Sequence, residues 1–159
     1  MKTLVIYYSA EGHTQKIAKE IAKNLAADIY EVTPEKPYSA DDLDWTNPDS
    51  RCSKENDDPS LRDIKLSNVD IPNWDEYERV IIGYPIWWGI AAWPVNSFVK
   101  TKDWNGKTIL PFCTSHSSGL GDSDLSLKND ANGGDWQEGT RFFQDATPAK
   151  IKSWCDEIL

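Results

Sequence analysis

Apolar residues recur along this chain in two rhythms that alternate with each other. Residues 2–8 (Lys-Thr-Leu-Val-Ile-Tyr-Tyr) are almost continuously β-branched or aromatic and stop at the polar segment Ser9-Ala10-Glu11-Gly12. That pattern predicts a strand buried on both faces of a parallel sheet. From Thr14 to Ala27 the period changes: Ile17, Ile21 and Leu25 return every four residues beside Ala18 and Ala22, with Lys16, Lys19, Glu20 and Lys23 facing away. This is an amphipathic helix. Asp28–Thr33 alternates as a second strand and ends at Pro34. Arg79–Tyr84 (Arg-Val-Ile-Ile-Gly-Tyr) predicts a third strand, and a helix begins near Trp93 with Pro94 in its first turn, where a missing N–H costs nothing. Lys107–Cys113 reads as a fourth strand and Trp136–Phe143 as a weaker fifth, with Asp122 or Ser123 capping a helix between them. Thr147-Pro148 opens a final helix that carries Ile151, Trp154, Cys155 and Ile158 on one face. Strands alternating with helices predict an α/β wound sheet.

One stretch breaks the rhythm. Glu35–Asp63 holds nine acids against four bases, three prolines and few aliphatic residues, and reads as a long surface excursion with a short helix near its end. Connections of that length are uncommon in compact domains and tend to be functional or mobile. Composition then narrows the class. The chain has 159 residues with 17 Lys plus Arg and 26 Asp plus Glu, a net charge of −9. This length suits a single domain over residues 1–159. The acidic balance argues against nucleic acid, whose phosphates need a basic face. No apolar run reaches the roughly 20 residues that span a bilayer, and the N-terminus has no signal-peptide pattern. Cys52, Cys113 and Cys155 are odd in number, far apart and outside metal-binding spacing, so neither a disulfide framework nor a metal site is expected and a cytoplasmic location fits best. Eight tryptophans are too much apolar surface to leave exposed without a reason.

Three polar loops follow strands, and in a wound sheet all three emerge at the carboxyl edge, where ligands bind at the switch point. The first, Ser9–Thr14, joins a strand to a helix N-terminus. Its hydroxyls, free N–H groups and helix dipole suit a phosphate, although an ordinary capped turn looks much the same. In the second, Pro85–Ala92, adjacent Trp87 and Trp88 cannot both enter one core pocket. A planar aromatic ligand would gain stacking from the ring left near the surface, and Gly89 gives backbone room to approach it. The third, Thr114–Gly121, is rich in serine and glycine and can offer hydroxyls and N–H groups to a heterocycle edge, although an ordinary surface loop has the same composition. Rival readings fail on residue identity. Neither a Walker phosphate loop nor a dinucleotide fingerprint follows the first strand. The acidic residues of a receiver domain are replaced by Tyr8-Ser9 and Tyr84-Pro85, and the Cys-x5-Arg of a small tyrosine phosphatase is absent after Cys113. Cys113 with His116 lacks an orienting acid and is a core cysteine.

Tyr7-Tyr8-Ser9-Ala10-Glu11-Gly12-His13-Thr14 resembles the phosphate loop of flavodoxins. Gly83-Tyr84-Pro85-Ile86-Trp87-Trp88-Gly89, Pro111-Phe112-Cys113-Thr114-Ser115 and Gly119-Leu120-Gly121 are similar to a short-chain bacterial branch of that family, as is the acidic excursion. The resemblance covers nearly the whole chain. It implies a flavodoxin-like three-layer sandwich, with a five-stranded parallel sheet in the order 2-1-3-4-5, helices on both faces and FMN at the carboxyl edge. Carried over residue by residue, Ser9, Glu11, Gly12, His13 and Thr14 would cradle the phosphate. Pro85, Ile86, Trp87, Trp88 and Gly89 would contact the ring and ribityl chain, and Thr114, Ser115, Gly119 and Gly121 would line the other ring edge. Two positions depart from the family: Glu11 stands where threonine is usual, and His13 where asparagine is common. Glu11 brings a carboxylate beside a dianion and must face solvent. His13 compensates when it is cationic.

The function this implies is electron transfer through non-covalently bound FMN, with no catalytic side chain and no metal. The partner is a redox protein or a small-molecule electron acceptor. An NAD(P)H-dependent quinone or flavin reductase of the same fold is the alternative. The carrier reading is preferred because the chain shows no basic patch for a nicotinamide phosphate.

Overall fold

In the computed structural model, residues 2–116 and 119–158 are described; Ser117 and Ser118 of the third loop lie outside them. The first strand, β1 (Thr3–Tyr7), is buried at every position, as its apolar run requires. It is followed by α1 (His13–Leu25) and β2 (Asp28–Glu31), then, at the far end of the acidic excursion, by α2 (Arg51–Asp57). The wound pattern resumes with β3 (Arg79–Trp87), β4 (Ile90–Ala91), α3 (Trp93–Val99), β5 (Thr108–Ser115) and α4 (Ser123–Asp130). The chain closes through β6 (Asp135–Trp136), β7 (Thr140–Phe143) and α5 (Pro148–Ile158).

The sheet runs β2-β1-β3-β5, with β6 and β7 both parallel to the outer edge of β5. This is the expected parallel order 2-1-3-4-5, with two modifications. First, the fifth strand is split. Ile109 pairs with Trp136 and Phe112 with Thr140, so three steps along β5 face four along its neighbour. The Ile109 carbonyl accepts from Gln137 N–H at 2.8 Å, so Pro111, two residues on, faces the same neighbour without an N–H to offer. The ladder therefore opens at Pro111 and closes again with one extra residue outside. Second, the third strand does not end at Tyr84. It continues to Trp87 and turns back on itself, pairing Ile86 with Ala91 and Trp87 with Ile90.

Strand alternation sorts the core into two layers. Leu4, Ile6, Val80, Ile82 and Tyr84 join Val95, Phe98 and Val99 of α3 and Leu127 of α4 on one face. Val5, Tyr7, Ile81 and Phe112 join Ile17 and Ile21 of α1 and Ile151 and Cys155 of α5 on the other. The α1 stripe read from the sequence is the one that is buried. The excursion contributes a smaller cluster of its own, in which Cys52 and Ile64 pack on Trp93. It is a packed wall rather than a purely surface segment: Tyr38 and Cys52 dock in that cluster, while Trp45 and Leu61 stay exposed. No helix among the described residues is long and apolar enough to cross a membrane.

Candidate functional site

The loop after β1 is held by a local bond: Ser9 Oγ accepts from Gly12 N–H at 3.0 Å. Gly12 then takes a left-handed conformation (φ 94°) as the N-cap of α1, and no side chain caps the helix. The first-turn N–H groups of α1 are thus left for a ligand, with the positive end of the helix dipole behind them. Thr14 is buried just inside and its hydroxyl meets that of Thr114 at 2.7 Å, tying the first loop to the end of β5. Glu11 and His13 flank the opening. Their Oε2 and Nε2 atoms are 3.9 Å apart, and the Glu11 side chain is 64% exposed, so the carboxylate faces solvent beside an imidazole.

The second loop is a two-residue hairpin turn with positive φ at both central positions, Trp88 (48°) and Gly89 (79°). Such turns match the twist of paired strands, but they ordinarily use Asn, Asp or Gly. Here the turn separates the two tryptophans. Trp87 is half-buried in an aromatic cluster, edge-on to Tyr8 (5.8 Å), Tyr38 (5.1 Å) and Trp93 (4.9 Å). Trp88 stacks on buried Trp93 with an interplanar angle of 18° yet stays 44% exposed. Gly89 and Gly121 serve one another. A Cβ on Gly121 would lie 2.1 Å from the Gly89 carbonyl oxygen, which itself accepts from Asp122 N–H at 3.0 Å.

A cavity of about 630 Å³ opens at this edge of the sheet. Of the residues picked out in the sequence, Glu11, His13, Thr14, Pro85, Ile86, Trp87, Trp88, Thr114 and Ser115 line it. Ser9, Gly12, Gly89, Gly119 and Gly121 do not; all but Gly119 shape the loops that do. Ala10 and His116 of the same loops also line the cavity, together with Leu43, Trp45, Cys52 and Gln144 from segments with no predicted site residue. Trp45, at 72% exposed, carried the one available signal: a tryptophan in an acidic stretch with almost no other apolar residues. Nothing local announces Gln144, which arrives from the end of β7. Cys113 lies in the core under the site, and burial pushes its thiol up to about 12, so it is no nucleophile at neutral pH. Among the described residues no cluster of His, Cys, Asp or Glu could hold a metal ion.

A wound parallel sheet with an uncapped helix terminus and aromatic walls at the β1/β3 switch point defines a flavodoxin-like protein; the switch-point rule is itself commonly illustrated with flavodoxins. The comparisons agree. A family model described as Flavodoxin matches residues 2–158, and the chain belongs to that family. A candidate flavoprotein of Bacteroides uniformis ATCC 8492 is 37% identical, with 98% of this chain and 97% of that one covered and a TM-score of 0.89. A second from Bacteroides eggerthii DSM 20697 is 38% identical over 99% and 97%, with a TM-score of 0.85. A flavoprotein of Lactobacillus acidophilus NCFM, solved in complex with FMN, shares the fold at 23% identity over 96% and 97%, with a TM-score of 0.61. No curated protein matches the chain.

Proposed function

We propose that the cavity binds FMN non-covalently and that the protein carries electrons between partners. The observation that carries this reading is the joining, in one cavity, of a helix N-terminus with no side-chain cap and two exposed indole rings, Trp88 and Trp45. The first suits a phosphate and the second a flat heterocycle. The residues fit the group: hydroxyl-bearing Thr14, Thr114 and Ser115 line the same cavity, which suits a polyhydroxyl chain.

When bound, FMN supplies one- and two-electron chemistry at its ring. The protein's own residues do the rest. The first turn of α1 and Thr14 hold the phosphate, while Ser9 keeps the loop in shape. His13 stands beside the Glu11 carboxylate at the mouth of the loop, 3.9 Å from it. Trp88 gives the ring a flat wall, and exposed Trp45 offers a second indole surface in the same cavity. Neither indole carries an acid or base; the titratable groups that line the cavity are Glu11, His13, Cys52 and His116.

The test is direct. Protein as purified should be yellow and release the mononucleotide on denaturation; release of mainly FAD would overturn the reading. Riboflavin should bind more weakly, because it forfeits the α1 contacts. Steady NADPH oxidation with a quinone, catalysed by the pure protein, would replace the carrier by the reductase.

A further inference from the structure

Beneath the tryptophan wall lies a carboxylate that cofactor binding itself does not use. Glu55 of α2 is 7% exposed, and a charge so buried is costly unless donors surround it. Three do, one from its own helix and two from outside it. Its Oε1 accepts from the Tyr38 hydroxyl at 2.5 Å and from the Trp93 indole N–H at 2.9 Å. Its Oε2 accepts from Arg51 Nε at 3.3 Å. Burial and the Glu55 bond both push the Tyr38 hydroxyl upward, so Tyr38 remains a donor at neutral pH.

Two of these three donors pack behind the wall. Tyr38 packs on Trp87, with Arg51 over its ring at 3.7 Å. Trp93 meets Trp87 edge-on at 4.9 Å and lies nearly parallel to Trp88. Arg62 lies over the Trp93 ring at 4.8 Å and donates to the Glu55 backbone carbonyl at 2.8 Å. An indole has a single N–H, and here it points at Glu55. Turning the Trp93 ring over would break that bond and remove the surface on which Trp88 stacks.

We propose that Glu55 is a positioning residue: by holding the Trp93 indole it sets the orientation of Trp88, and with it the flat wall of the cavity. It also makes the acidic excursion part of the site, since α2 is the excursion's only α-helix among the described residues. A carboxylate suits the task because both oxygens accept. A glutamine would have to turn an N–H toward one of three donors. For its effect on flavin affinity, the inference rests on the FMN reading above.

The test uses Glu55→Ala, Glu55→Gln and Trp93→Phe, with the Glu55→Ala/Trp93→Phe double variant. In apoprotein, the ¹H–¹⁵N indole resonance of Trp88, one ring beyond Glu55, should move in Glu55→Ala. With flavin, Glu55→Ala should lose roughly tenfold in affinity, the size of one stacking contact. The loss should be equal for riboflavin and FMN, because it falls on the ring wall and not on the phosphate loop. Glu55→Gln, which keeps an acceptor for the indole, should recover part of it. In the Trp93→Phe background the Glu55→Ala penalty should largely vanish. An unmoved Trp88 resonance, or an equal penalty in both backgrounds, would overturn the proposal. Should Glu55→Ala not fold, the Trp88 resonance in Glu55→Gln, which keeps the side-chain volume but turns an N–H toward one of the three donors, decides in the same way. A parent protein that takes up neither flavin would sink the FMN reading alone, since the apoprotein resonances still report on Glu55.

Discussion

Trp88 concentrates the residue-scale argument. A non-glycine residue in the left-handed region costs on the order of 1–2 kcal/mol, and Trp88 stands there at φ 48°. Asparagine or glycine would make the same turn without that cost, but neither would stack on Trp93 or face the cavity. Trp88→Ala should therefore weaken FMN binding by about 1–3 kcal/mol, combining lost stacking and burial. Fluorescence titration of apoprotein measures this, and an unchanged affinity would remove Trp88 from the wall. Glu11 makes the opposite case. Its carboxylate lines the opening of an anion site, so Glu11→Thr should tighten FMN binding, with a gain that shrinks as salt screens the charge. Weaker binding in that variant would mean that Glu11 contributes through its pairing with His13.

At the scale of elements, close approach of β3 and β5 governs the core beneath the site. A Cβ on Gly83 would lie 2.0 Å from Cζ of Phe112, a ring buried between the sheet and α1. Gly83→Ala should destabilise the fold by about 1–3 kcal/mol through overpacking, read from urea unfolding. Adding Phe112→Leu should recover part of the loss; no recovery would place the cost in the backbone instead. The same scale shows where sequence patterns reach their limit. The α1 stripe and the alternation of β1 were legible because each repeats over several residues. The split of the fifth strand was not, because it depends on Pro111 of a neighbouring strand facing that way. The hairpin after Tyr84 was missed as well, because Pro85 and two tryptophans look like loop chemistry until β4 is there to pair with them.

Over the whole molecule, charge and buried acids set the behaviour. Leu43 and Trp45 bring the acidic excursion to the cavity, so Asp41, Asp42 and Asp44 stand near its rim. A negative field there would steer a basic redox partner. Electron transfer from such a partner should slow steeply with ionic strength. Replacing the three aspartates by asparagine, which keeps their acceptor oxygens, should flatten the dependence. A salt-independent parent rate would leave the three aspartates without a steering role. Alkaline stability follows from a second set of groups. Burial raises Cys113 from 9.0 to about 12 and Cys155 from 9.0 to about 11. Burial and the bond to Asp28 raise Tyr77 from 10.0 to about 12. Each group holds its proton more tightly when folded, so its stabilisation is complete below the unfolded value and is lost as pH rises through the folded one. Thermal melts should thus fall progressively from about pH 9 towards 12, and Cys113→Ser should reduce the slope at the lower end of that range.

Sequence alone determined the strand and helix periods, the order of elements, the three loops that converge at one edge and the residue types that suit a phosphate and a flat ring. These are local properties, written in spacings of two and of three to four residues and in short motifs. Tertiary structure alone decided that Trp87 faces inward and Trp88 outward, because one positive-φ turn separates them. It also decided that Trp45, Cys52 and Gln144 reach the cavity from distant parts of the chain. Glu55 shows the difference most plainly. In sequence it is one of nine acids in a polar excursion. Folded, it is the carboxylate on which Tyr38, Arg51 and Trp93 converge, because only packing can remove a charge from water and supply three donors in its place.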